Sequence, residues 1–480
     1  MTALAALILV GGLFVWFGRL ERSGRSVTVV ATVLAFVLLD TVIYQDQNEV
    51  PVGLFHPEYR DQSFRLLDIL IPVAIIARLL HRPRTPGSPI ALLWLAWLAW
   101  LATAGIVGVY EGNSLSLIAY EGKAIIYVGA FLVASGVPLE QYVAGRRLER
   151  ALGCTAVLAM GLIATDLAGV GIYANLPLLP LENFGVLGSD AATMFSGLGV
   201  IGLATGLLAE ARRGPLLAIA LVLLVTPAFA DQRAAFLALG VAVAIVAVAM
   251  ALSPRRLRVT PTEAGLAALA VVGLLALSTV PAIVGNRTVK LPLQDQLSTT
   301  FGSYEEVLTT KDRLNQWAAA APLIAERPVY GHGLGYEYVF WDEGYFFFKK
   351  TDLTHNIFGD LLLRSGAVGL ALFALAFAMS ASATARAWLS RPSDRTAAFA
   401  LGVGAAVSGL LGKAMAESLF EKYRLAAALG LGIGVMLSAG LRAPATSPAA
   451  GTVSPERRPR ERDYVTAATT RGGPQGAPST

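Results

Sequence analysis

Residues 351–363 read TDLTHNIFGDLLL and place a His355-Asn356 pair where about seventy mostly polar residues give way to a long apolar run. A neutral imidazole, with a pKa near ~6.5, can take a proton from a hydroxyl. Asn356 is placed to orient that ring or a substrate. Asp360 and Arg364 follow five and nine residues on. At about 100° per residue they fall roughly 140° and 180° round a helix from His355, so they are expected to face neighbouring helices and not the imidazole.

Two arginines have the chemistry to hold an anion, because a planar guanidinium gives a phosphate two parallel hydrogen bonds. Arg233, in TPAFADQRAAFLALG, heads an apolar run; Arg313, in KDRLNQWAAA, lies one helical turn before Trp317. The plain alternatives are a snorkelling Arg233 and an Arg313 on a solvated face beside Asp312. Arg65 and Lys123 read as snorkelling cations. Lys413, Glu417, Glu421 and Arg424 follow at helical spacing and read as a salt-bridge ladder on one face, with Glu417 as a supporting residue of the site. The histidines His56, His81, His332 and His355 are scattered, with no HExxH-like spacing, so no metal site is expected. The lone Cys154, inside an apolar run, excludes an internal disulfide and reads as a small core hydrophobe.

The elements that position these residues are membrane helices. The chain is 55% hydrophobic and 15% charged, against about 25% charged in soluble domains, with a mean hydropathy of +0.61. Apolar runs near bilayer length make it an all-α polytopic membrane protein. About thirteen transmembrane helices (12–13) are expected, at 2–18, 27–45, 64–80, 88–110, 117–138, 150–171, 190–210, 215–230, 233–252, 263–285, 356–381, 396–415 and 423–441. Basic clusters at 19–25, 78–84, 146–150, 212–213, 255–258, 386–395 and 457–462 alternate with segments poorer in Lys and Arg. That pattern is the signature of membrane orientation, not of nucleic-acid binding, and it puts the basic segments in the cytoplasm, the N-terminus outside and the C-terminus inside.

The organisation follows: helices 1–10 over 1–285, an extracytoplasmic loop domain over 286–355, helices 11–13 over 356–441 and a disordered cytoplasmic tail over 442–480 whose basic cluster rests near lipid headgroups. The loop, roughly 70 residues long and containing short helices, holds Trp317, Tyr330, Tyr336, Tyr338, Trp341 and the aromatic run 345–348. Its segment 309–327 reads as a helix with Leu314, Trp317, Ala321 and Ile324 on one stripe and a kink at Pro322; GHGLG (331–335) reads as a flexible turn.

In order along the chain, Arg313 and Trp317, then Pro328, the glycines Gly331, Gly333 and Gly335, His355-Asn356, and a span with Gly366 and Gly369 resemble the O-antigen ligase/polymerase family, best over about 225–375. The span headed by Arg233 fits the same pattern. The resemblance implies inverting transfer of an oligo- or polysaccharide from a polyprenyl (undecaprenyl) diphosphate carrier to a sugar hydroxyl on a glycan or glycolipid acceptor, outside a bacterial cytoplasmic membrane. It implies no metal and no other cofactor, Arg233 and Arg313 on the diphosphate, and His355 as the base. The residues leave other readings open. A lipid-linked glycan flippase would explain many spans and scattered arginines, although no internal repeat is visible. A glycosyltransferase using a polyprenyl monophosphate sugar would need an acid in the first outer loop, where Asp46, Glu49 and Glu58 lie.

Overall fold

The computed structural model describes residues 3–43, 66–81, 88–167, 187–209, 214–229, 234–253, 282–284, 287–289, 304–342, 346–392, 394–418 and 423–440. Residues 1–443 make one compact unit, and the second unit, residues 444–480, lies outside the described ones, as does the predicted tail with it.

The first helices are α1 (Ala3–Arg22), α2 (Ser26–Ile43), α3 (Leu66–His81), α4 (Pro89–Tyr110), α5 (Leu115–Val128), the short α6 (Phe131–Ala134) and α7 (Leu139–Val143), and α8 (Arg147–Leu167). Then come α9 (Ser189–Leu208), α10 (Gly214–Leu224) with a 3-10 turn at Thr226–Phe229, and α11 (Ala234–Leu252). A first hairpin pairs β1 (Ala282–Val284) with β2 (Arg287–Val289). After it stand α12 (Tyr304–Glu326) and a second antiparallel hairpin of β3 (Tyr338–Asp342) and β4 (Phe347–Thr351). The chain closes with α13 (Ile357–Ser390), α14 (Arg395–Ala414) and α15 (Tyr423–Gly440).

Among the described residues, seven helical segments are long and apolar enough to cross a membrane: α4, Leu115–Ala134, α9, α11, α13, α14 and α15. Two more, Ser26–Thr41 and Gly214–Phe229, are apolar but shorter. The chain is thus a multi-pass, mainly helical membrane protein. Of the predicted span 263–285, residues 263–281 lie outside the described set, and its end is the strand Ala282–Val284 and not helix.

The predicted loop domain differs from expectation in its elements. Where short helices are expected, one 23-residue helix, α12, runs on past Pro322 to Glu326, followed by a hairpin. The stripe is rotated as well. Leu314 is exposed and Gln316 and Ala320 are buried, because α12 docks through Ala320 with Leu323 and Ile324 beside it, against Tyr338, Phe340 and Leu363.

The long helix α13 is interrupted at Gly366, whose φ of 64° and ψ of −169° are not helical. The GHGLG segment explains the break. It is buried and wedged between α4 and the interrupted turn of α13. The His332 amide donates to the Leu363 carbonyl at 2.8 Å, Gly333 N–H to Arg364 O at 3.0 Å and Leu334 N–H to Ala104 O at 3.0 Å. A Cβ on Gly366 would overlap the Val329 carbonyl, and one on Gly108 would overlap the Leu334 carbonyl. These glycines allow two backbones to approach; they do not make a flexible turn.

Candidate active site around His355

His355 stands just outside α13 with a φ of 49°, a left-handed conformation uncommon for a residue with a Cβ. Both neighbours hold it there. On one side Thr354 is tied to Asp360, which accepts the Thr354 amide and the Thr354 hydroxyl, each at 2.9 Å. On the other side Asn356 caps α13: its side-chain oxygen accepts the Phe358 amide at 2.9 Å and the Gly359 amide at 3.4 Å. The Asn356 amide also donates to the Met415 carbonyl at 3.1 Å, which joins the start of α13 to the end of α14. Trp317 of α12 lies over the same turn, since a Cβ on Gly359 would stand 2.9 Å from its indole ring. Arg313 is one turn earlier on α12, exposed.

Beneath this turn lies a fully buried network. Arg364 pairs with Asp360 at 2.9 Å and with Glu121 of α5 at 2.8 Å, and all three side chains are 0% exposed. Arg364 also donates to the Asp352 carbonyl, and the Ser418 hydroxyl donates to Asp360. The second oxygen of Glu121 accepts the Gly335 amide at 2.9 Å. One guanidinium thereby couples α5, the GHGLG wedge, the β4 exit and the His355 turn. Tyr338 adds a hydrogen bond to the Leu353 carbonyl at 2.8 Å. Burial raises the Asp352 carboxyl above the ordinary carboxylate range, with Arg364 pulling the other way. Burial likewise raises the Tyr338 phenol.

Arg364 reaches a neighbouring helix as expected, through Glu121 of α5, whereas Asp360 bonds Arg364 of its own helix, Ser418 and the residue next to His355. The angular argument that set it apart assumed His355 inside the helix, which begins only at Ile357. Glu121 was missed altogether. Its signal was an acid within the apolar run LSLIAYEGKAIIYV, where a charge is costly without a partner.

The predicted ladder does not form as one helical face. The helix α14 ends at Ala414 and α15 starts at Tyr423, so the four positions do not share a continuous helix. Lys413 pairs with Asp190 of α9 at 2.7 Å and with Glu417 at 3.4 Å, while Arg424 pairs with Asp40 of α2 at 2.8 Å. Glu417 is therefore buried near Ser418 and Met415 as a structural neighbour of the His355 turn. Lys123 does not snorkel: it bonds Asp68 of α3 at 3.2 Å, and Tyr127 donates to the same carboxylate at 2.6 Å. Cys154 is exposed, not in the core.

Arg233 lies outside the described residues, as do Arg65, Asp46, Glu49, Glu58 and Glu421. The helix α11 packs on α14 near the terminus that carries Lys413: a Cβ on Gly412 would stand 3.0 Å from Val241.

A comparison with curated proteins finds no match. The family model described as O-antigen ligase matches residues 198–374. The matched segment takes in Arg233, α12 with Arg313 and Trp317, the GHGLG wedge, His355-Asn356 and the Asp360–Arg364 pair. Over residues 198–374 this multi-pass membrane chain is thus similar to the O-antigen ligase family.

Proposed function

We propose that the chain transfers an oligo- or polysaccharide from a polyprenyl diphosphate carrier to an acceptor sugar hydroxyl, at the His355 end of the bundle and outside the cytoplasmic membrane. The family match supports glycan transfer in general; the residues supply the specific reading. A sugar diphosphate is already activated, so the enzyme must stabilise a leaving group that gains negative charge. Arg233 and Arg313 carry that charge on their guanidinium groups, an electrostatic contribution that is commonly the largest in catalysis. His355 accepts the proton of the acceptor hydroxyl as the oxygen attacks the anomeric carbon from the face opposite the diphosphate. The C–O bond to the carrier breaks, the electron pair leaves with the diphosphate, and the configuration inverts. No cofactor enters this scheme.

The observation that carries the reading is the construction around His355. A left-handed backbone at a histidine costs on the order of 1–3 kcal/mol, and strain of this kind gathers at functional sites. Here Thr354, Asn356 and the buried Asp360–Arg364–Glu121 network hold it in place. A carrier whose tail stays in lipid and whose headgroup reaches water would present its diphosphate at such an end of a membrane helix.

The test is a set of four variants assayed for transfer after membrane insertion is verified. His355→Ala and Arg313→Ala are each expected to abolish transfer, while Asp46→Asn and Glu49→Gln leave it intact. Loss of activity in the last two with a working His355→Ala would overturn the proposal in favour of a monophosphate-dependent enzyme. Movement of lipid-linked glycan across liposomes without transfer would make the chain a flippase.

A further inference from the structure

A cavity of about 1230 Å³ lies apart from the His355 turn, bounded by α2, α8, α9, α11, α14 and α15. Its walls are mainly aliphatic, and along α2 they run from Gly24 to Leu39. The part within α2, Val27 to Leu39, is about 18 Å of helix, longer than the ~15 Å of hydrocarbon in one leaflet. Cys154 and Ala31, both on its wall, are exposed, so the cavity communicates with the lipid-facing side.

One end of it is cationic. Arg25 enters from the α1–α2 turn, and Arg147 and Arg150 from the start of α8. This end is opposite the candidate active site, since α2 reaches the other end at Thr41, which touches Met194 near the Asp190–Lys413 pair.

We propose that this cavity binds an anionic diacyl phospholipid. The phosphate sits among Arg25, Arg147 and Arg150. The acyl chains fill the aliphatic walls between α2 and α8. Basic pockets between membrane helices are suited to such headgroups. The donor's diphosphate is the wrong occupant, because these cations lie at the end away from His355.

The test uses the purified full-length chain in detergent, with phosphatidylglycerol and phosphatidylcholine of identical acyl chains as probes. Alkylation of Cys154, the sole cysteine, reports occupancy, and thermal unfolding reports stabilisation. Phosphatidylglycerol is expected to slow alkylation several-fold and raise the unfolding midpoint, with little effect of phosphatidylcholine. Arg147→Ala combined with Arg150→Ala should remove the preference. Gly197→Leu is a second block: a Cβ there meets Ala406 at an ordinary 3.6 Å, so the fold tolerates it while the side chain fills the cavity. Equal effects of the two lipids, or a preference that survives both variants, would overturn the proposal. Protection by a polyprenyl diphosphate in place of phosphatidylglycerol would also overturn it and assign the cavity to the donor's tail.

Discussion

His355 owes its backbone conformation to neighbours that are themselves held by a buried network. The Asp360 carboxylate takes both the amide and the hydroxyl of Thr354, and Arg364 holds that carboxylate from below. Removing one member of a buried ion network leaves an uncompensated charge, at a cost of about 3–5 kcal/mol. Glu121→Ala is therefore expected to destabilise the protein by that order, measured by thermal unfolding in detergent, and Glu121→Gln by less, because it can still accept the Gly335 amide. Asp352 gives a pH signature at the same scale. Burial raises its carboxyl above the unfolded value, so the folded state favours the protonated form. Its contribution to stability is present below the unfolded value near ~4 and is lost as pH rises through the folded one. Asp352→Asn is expected to be more stable than the parent at neutral pH, with the gap closing as pH approaches about 4; a gap independent of pH would contradict the assignment. The His355-Asn356 pair stands out in the sequence because it marks a change of polarity, but the capping by Asn356 was not read there, where Asn356 was expected to orient the ring or a substrate. The network was not legible, because Glu121 and Arg364 are 243 residues apart in the chain and only the fold brings them to 2.8 Å.

At the scale of elements, the decisive piece is the GHGLG wedge. Glycines read from sequence alone suggest looseness, since they permit turns. In the fold they allow contact: Gly331, Gly333 and Gly335 all have φ between 71° and 83°, and a Cβ on any of them would meet backbone of α13, α4 or α5 within 3.0 Å. The wedge thereby fixes the break in α13 at Gly366, three turns below His355. Gly366→Ala is expected to reduce transfer strongly and to lower the unfolding midpoint, because its Cβ would overlap the Val329 carbonyl at a φ of 64°. Gly122→Ala, where a Cβ meets nothing within 4 Å, is the control expected to change neither. Helix positions were legible because long apolar runs bounded by arginines leave few options. The β3–β4 hairpin was not, as its strands are five residues each and its aromatic run carries no clear alternation.

At the scale of the whole molecule, charge among the described residues is sorted into two layers. One end carries Arg78 paired with Glu21 at 2.7 Å, Arg395 bonded to Glu149, and the cavity arginines. The other carries Asp40–Arg424, Asp68–Lys123, Asp190–Lys413 and Asp360–Arg364. The described members of the arginine alternation, at 19–25, 78–84, 146–150 and 386–395, include residues of the first layer, and by the orientation rule we propose that the His355 end faces outward. The second layer was illegible as such, because pairing partners come from different helices. In a Cys154→Ser background, Tyr330→Cys, at an exposed position, is expected to react with a membrane-impermeant maleimide added outside intact cells. Labelling only after permeabilisation would reverse the orientation. The most direct test of the account is reconstituted transfer: purified chain in liposomes, a polyprenyl-diphosphate-linked glycan and an acceptor glycan, wild type against His355→Ala. The account predicts transfer by the wild type and a rate lower by roughly 10²–10⁴-fold in the variant, the range lost with a general base. A His355→Ala protein that transfers at the wild-type rate would contradict it.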